Sequence, residues 1–234
     1  MSAGRSGRAG REIEIKTSDG SIAAYLVAPA SGSGPGVIVI QEWWGLVDHI
    51  RDVCDRLARA GFVALAPDLY RGESTGDPGE AGRLMMDLQI ERAATDLDST
   101  VESLRRQDGI EGPRLGVIGF CMGGQLALCA ASRNEHIAAC VDCYGVHPNV
   151  EIDPTGMRAA VLGIFAENDD FIPLEAVRGL ETRLRQAKVE TDIEIFTGTQ
   201  HAFLNETRPE VHDAESAATA WARIQAFLTA QLTP

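Results

Sequence analysis

Three observations predict an α/β fold with a mainly parallel central sheet. Short β-branched or apolar runs alternate with stretches of helical periodicity, glycine or proline marks many of the transitions, and several runs are too continuously apolar to leave one face wet. Glu12 to Thr17 and Ile22 to Ala28 instead alternate apolar and polar residues around Ser18-Asp19-Gly20, the pattern of an N-terminal antiparallel hairpin at a sheet edge. Pro29 to Gly36 reads as a loop, and Val37 to Ile40 as a strand buried on both faces. A helix from about Asp48 to Ala60 ends at Gly61, strand Phe62 to Ala66 follows, and one helical pattern runs from about Gly79 to Gln107. Strands are expected at Leu115 to Ile118, Ala138 to Cys143, Ala159 to Ala166 and Asp192 to Phe196. Helices are expected near Gly123 to Ser132, Leu174 to Lys188 and Val211 to Leu232.

With 44% of its 234 residues apolar, the chain can bury one large core, so a single domain over residues 11–234 is expected behind a flexible N-terminal tail over residues 1–10. Lys plus Arg number 21 against 34 Asp plus Glu, a net charge of −13, which disfavours nucleic acid and anionic membranes as partners. No stretch reads as a signal peptide or a bilayer span, so a cytoplasmic location is expected, as a monomer or small homo-oligomer. The five cysteines are odd in number and show no secreted disulfide pattern. Cys54, Cys129, Cys140 and Cys143 read as thiols of the core, and no metal or cofactor is implied.

In such a sheet, ligands lie beyond the carboxyl ends of the strands. Neither a dinucleotide fingerprint nor a P-loop is present. Instead, strand Leu115 to Ile118 runs into Gly119-Phe120-Cys121-Met122-Gly123-Gly124 and then a helix, the form of a nucleophile elbow carrying Cys. The nucleophile of such a turn is strained, and its neighbours two residues away must be nearly side-chain-free for strand and helix to approach. The helix N-terminus offers N–H groups and partial positive charge to a thiolate or oxyanion. A second match, Gly72-Glu73-Ser74-Thr75-Gly76, lies past its strand and before Asp77-Pro78-Gly79, so Ser74 reads as a loop residue.

Glu167-Asn168-Asp169-Asp170 follows a later strand, and His201 follows the final one. The two segments thus come in the order in which an orienting acid and a general base are needed. Asp169 and Asp170 are alternative orienters, since either could also serve the helix start at Pro173. His147, after another strand, is the second candidate for the base. Gln41-Glu42-Trp43-Trp44-Gly45 ends strand Val37 to Ile40 at the same rim, which makes the Trp43 N–H a candidate oxyanion donor beside the Met122 N–H. Glu42 near the thiol would disfavour thiolate and oxidation. Trp43, Trp44 and Phe203 suit an apolar pocket wall.

Gln41-Glu42-Trp43 with Gly45, Pro67-Asp68-Leu69-Tyr70, Gly119 to Gly124, Tyr144-Gly145, Asp169-x-x-Ile172-Pro173 and His201-Ala202-Phe203 together resemble the dienelactone hydrolase (carboxymethylenebutenolidase) family of the α/β-hydrolase superfamily, from about Glu12 onward. The resemblance implies an α/β-hydrolase fold and a Cys121, Asp169, His201 triad, choosing Asp169 over Asp170. It implies a thiol-gating role for Glu42 and a small ester or lactone substrate in a pocket that includes Tyr144. Well-known members hold a substrate carboxylate with two arginines. Here Asn205 stands four residues beyond His201, and Arg71 and Arg208 are the nearest equivalents. The expected function is therefore hydrolysis through a thioester. A non-catalytic ligand-binding or sensor protein on the same fold, or an acyltransferase, is the alternative.

Overall fold

The computed structural model describes residues 10–233, so the expected tail over residues 1–10 lies, apart from Gly10, outside the described residues. Eight strands form one sheet: β1 (Arg11–Thr17), β2 (Gly20–Val27), β3 (Gly36–Ile40), β4 (Val63–Pro67), β5 (Leu115–Phe120), β6 (Ile137–Cys143), β7 (Ala160–Ala166) and β8 (Thr191–Phe196). Their order is β1-β2-β4-β3-β5-β6-β7-β8. The hairpin strands β1 and β2 are antiparallel, β2 joins β4 antiparallel, and the other five pairings are parallel. Every residue of β3, β4, β5 and β7 is buried, as a sheet covered on both faces requires.

The described residues also form six helices, five between strands and one after β8: α1 (Asp48–Arg59), α2 (Pro78–Asp87), α3 (Ile90–Arg105), α4 (Met122–Arg133), α5 (Leu174–Gln186) and α6 (Ala214–Leu232). In α1 the buried residues His49, Ile50, Val53, Cys54, Leu57 and Ala58 recur at helical spacing, so one stripe meets the sheet. Arg56 of α1 stacks over Trp221 of α6, 4.7 Å from its ring centroid, which ties those two helices together. Helix α6 begins at Ala214, because Asp213 accepts the Ser216 N–H as N-cap. This is three residues later than periodicity alone predicts.

The helical stretch expected from Gly79 to Gln107 is instead two helices. Leu88 and Gln89 are extended, with ψ of 118° and 104°, although neither is a helix-breaking residue. The break leaves α2 as a short separate helix burying only Ala81 and Leu84. All five cysteines are buried and none forms a disulfide.

Along the sheet the chain steps from β3 outward to β4 and then back to β5 on the other side, creating a crevice at the carboxyl ends of β3 and β5. Cys121 follows β5 there with φ 53° and ψ −122°, a conformation that side chains disfavour. A Cβ on Gly119 would fall 1.8 Å from the Gly123 carbonyl oxygen, and one on Gly123 would fall 2.5 Å from those of Ile40 and Gln41. These two glycines let β5, α4 and the end of β3 converge.

Beneath the turn, Asp142 of β6 is fully buried, with neither carboxyl oxygen in a hydrogen bond. Burial pushes its pKa up to about 7, only partly opposed by the nearby Gly145 N–H. The folded state thus keeps a proton that the unfolded chain loses near pH 4, so stability falls as pH rises through that window.

Two outcomes are expected. Gly119→Ala should cost upwards of about 3 kcal/mol, because the atoms its Cβ would meet are all backbone, of Gly123 and Gly124. Urea unfolding checks this, and a loss under about 0.5 kcal/mol would contradict the close approach. Asp142→Asn should flatten the pH dependence, so that the wild type loses about 2–3 kcal/mol more than the variant between pH 5 and pH 8. Parallel stability profiles would refute the buried-proton account.

Candidate active site

Strand β7 ends into Glu167-Asn168-Asp169-Asp170, and β8 into the loop that carries His201. Asp169 Oδ1 accepts the Phe171 and Ile172 N–H groups at 2.9 and 3.1 Å, and Oδ2 lies 2.8 Å from His201 Nδ1. The first two bonds lock the carboxylate. The third requires the proton on Nδ1, since a carboxylate only accepts, and so leaves Nε2 for another partner. Asp170 is exposed and makes neither kind of contact, and α5 receives no side-chain N-cap bond.

The Cys121 thiol is next to the imidazole. Burial pushes the His201 pKa down, but the hydrogen bonds to Asp169 and Cys121, with the negative charge of both, outweigh it and raise the value to about 10. The ring packs between Tyr144, with centroids 5.1 Å apart, and Phe171, with centroids 4.9 Å apart. Ala202, the next residue, has φ 65°, one of five non-glycine residues in the left-handed region among the described residues.

Cys121 and His201 open on a cavity of about 480 Å³ of atom-free space, walled by Trp43, Trp44, Met85, Val146 and Phe171. Glu42 and Arg208 are its charged members. Glu42 is 1% exposed; its Oε2 accepts the Asn205 amide at 2.8 Å, and its Oε1 has no partner. Arg208 lies 5.9 Å over the Trp44 ring and pairs with exposed Glu210. Met122 is the first residue of α4, so its N–H has no acceptor within the helix. Trp43 begins the turn after β3, and its N–H is in no loop or turn bond among the described residues.

Three expected pocket residues lie elsewhere. Arg71 is drawn away by acids: its guanidinium meets both oxygens of Asp96 at 2.9 Å and Asp19 at 2.9 Å, and it lines a separate depression with Leu84 and Arg92. The Asp96 side chain is 2% exposed and needs that counter-ion. Tyr144 and Phe203 are fully buried behind the imidazole, with centroids 6.0 Å apart, and back the site without lining it. Ser74 is an exposed loop residue. His147 bonds the Met85 carbonyl at 3.1 Å, away from the thiol. Met85, Val146 and Phe171 were not singled out by motif. Phe171 alone had a local signal, lying between Asp169 and Ile172-Pro173.

The family model described as "Dienelactone hydrolase family" matches residues 22–232. Protein usf of Aquifex pyrophilus is 34% identical over 231 residues, covering 96% of this chain and all (100%) of that one. A provisionally named carboxymethylenebutenolidase of Aquifex aeolicus is 32% identical, covering 91% and 94%. A crystal structure of a provisionally named dienelactone hydrolase from Klebsiella pneumoniae superposes with a TM-score of 0.85 at 30% identity, covering 94% of this chain and 98% of that one. The sheet, the crevice and these likenesses agree: the chain belongs to the dienelactone hydrolase family and is a carboxylic ester hydrolase of the α/β-hydrolase fold.

Proposed function

We propose that residues 11–234 act as one catalytic domain that hydrolyses a small ester or lactone through Cys121, His201 and Asp169, with a thioester intermediate. The observation that carries the reading is the imidazole held at Nδ1 by Asp169 while it adjoins a strained thiol at the cavity floor.

His201 Nε2 holds the proton released by the Cys121 thiol, the thiolate Sγ bonds to the carbonyl carbon, and the carbonyl electron pair moves onto oxygen. The oxyanion rests on the Trp43 and Met122 N–H groups, the two donors at the rim of β3 and β5. Collapse expels the alkoxide, which takes the proton from imidazolium; in a lactone it stays tethered to the acyl group. Water, deprotonated by His201, then attacks the thioester, and collapse of that intermediate releases the acid and returns the thiolate. Glu42 lines the same cavity as Cys121 and is the group assigned here to gating the thiol. Trp43, Trp44 and Phe171 favour a substrate with an apolar body.

Cys121→Ala should abolish turnover of activated aryl esters and dienelactone. Undiminished turnover would sink the mechanism. In the intact protein a neutral-pH alkylating reagent should label Cys121 selectively and lose that selectivity in His201→Ala, whereas slow, uniform labelling of all five cysteines would favour a non-catalytic binder. Asp169→Asn removes the largest influence that raises the His201 pKa, so NMR titration should find the imidazole more acidic than in the wild type. kcat should fall about 10²–10⁴-fold. An unchanged titration would remove Asp169 from the triad.

A further inference from the structure

Helix α2 contributes the Met85 side chain to the cavity wall, yet it buries only Ala81 and Leu84. Its Arg83 is spent locally on Glu80, Asp87 and Glu73. Past Leu84 its carboxyl end meets the core only through the partly buried Met85 and Leu88. One polar contact adds to these: His147, four residues past the end of β6, lies with Nε2 3.1 Å from the Met85 carbonyl oxygen.

The protonation pattern of this bond is internally consistent. His147 Nδ1 accepts the Asn149 N–H at 3.1 Å, so the proton belongs on Nε2, which donates to Met85. Burial lowers the pKa of this histidine and favours that neutral form. The loop carrying it is itself anchored, because the Val150 N–H bonds the His147 carbonyl at 3.3 Å and the Gln125 amide of α4 bonds the Val150 carbonyl at 3.2 Å. A firm loop thus holds a loosely packed helix, and the two supply neighbouring parts of one wall, Val146 and Met85.

We propose that His147 is a positioning residue that sets acyl-group selectivity: by holding the Met85 carbonyl, it fixes Met85 as the wall that limits the size of the acyl group. The proposal rests on the esterase reading above.

The test compares p-nitrophenyl acetate with p-nitrophenyl octanoate in the wild type, His147→Ala and His147→Gln. In His147→Ala the octanoate-to-acetate ratio of kcat/KM should rise about tenfold, roughly the worth of one buried hydrogen bond, through KM, with kcat for acetate within about twofold of wild type. His147→Gln, whose amide N–H reaches where Nε2–H stands, should restore the wild-type ratio. An unchanged ratio in His147→Ala, or a shift that Gln does not reverse, overturns the proposal. If His147→Ala does not fold, Met85→Ala should produce the same rise, and its failure to do so counts equally against it. Cys121→Ala separates the two claims. If it abolishes turnover while the His147 variants leave the ratio alone, only the positioning role fails. If it leaves turnover intact, the esterase reading fails and this proposal with it.

Discussion

Cys121 holds a backbone conformation that costs on the order of 1–3 kcal/mol for a residue with a side chain, and the site depends on its being held there. The strain is confined from several sides. The Cys121 N–H bonds the Cys143 carbonyl at 3.0 Å, and its own carbonyl accepts N–H groups from Gly124 at 2.9 Å and Val146 at 3.1 Å. Strand β6 and the loop after it therefore grip the residue, while Gly119 and Gly123 let strand and helix close around it. A turn so over-determined cannot relax without separating β5 from α4, so the thiol stays at the mouth of the crevice.

Three acids surround this turn, each in a different environment. Asp169 receives three hydrogen bonds, one of them from the His201 imidazole. Glu42 receives one, from a neutral amide, and keeps an unpartnered oxygen at the cavity. Asp142 receives none that meets hydrogen-bond geometry, and burial raises its pKa to about 7. The same functional group thus stands triply, singly and not at all hydrogen-bonded, according to what its neighbours offer it. Asn205 matters here for its reach: its neutral amide holds Glu42 Oε2 at 2.8 Å.

The cavity wall is less uniformly supported than its floor. Trp43 and Trp44 pack edge to face, with centroids 5.0 Å apart, and Phe171 joins Trp43 at 6.3 Å, an aromatic rim on short loops. Phe171 is 58% exposed, so this rim extends apolar surface out of the pocket toward solvent. Another part of the wall, Met85, comes from α2, which buries only Ala81 and Leu84 and otherwise packs Met85 and Leu88 partly against the core. Cys121 therefore sits directly at a strand end, whereas the cavity wall stands on loops and a short helix.

The sequence by itself determined the alternation of strands and helices, the hairpin at the edge, the elbow and the order of its partners. These are local properties: period, glycine at a fixed offset, an acid or a histidine just past a strand. The break at Leu88 and Gln89 was invisible because neither residue opposes a helix. The fates of Arg71, Tyr144 and Phe203 were invisible because burial and pairing depend on distant chain. Asp96 claims Arg71 from 25 residues away, and Asn205 reaches Glu42 across 163. Only the tertiary structure decided which charges meet and which aromatic rings face the cavity, since desolvation and ion pairing are set by neighbours in space, which local sequence pattern does not encode.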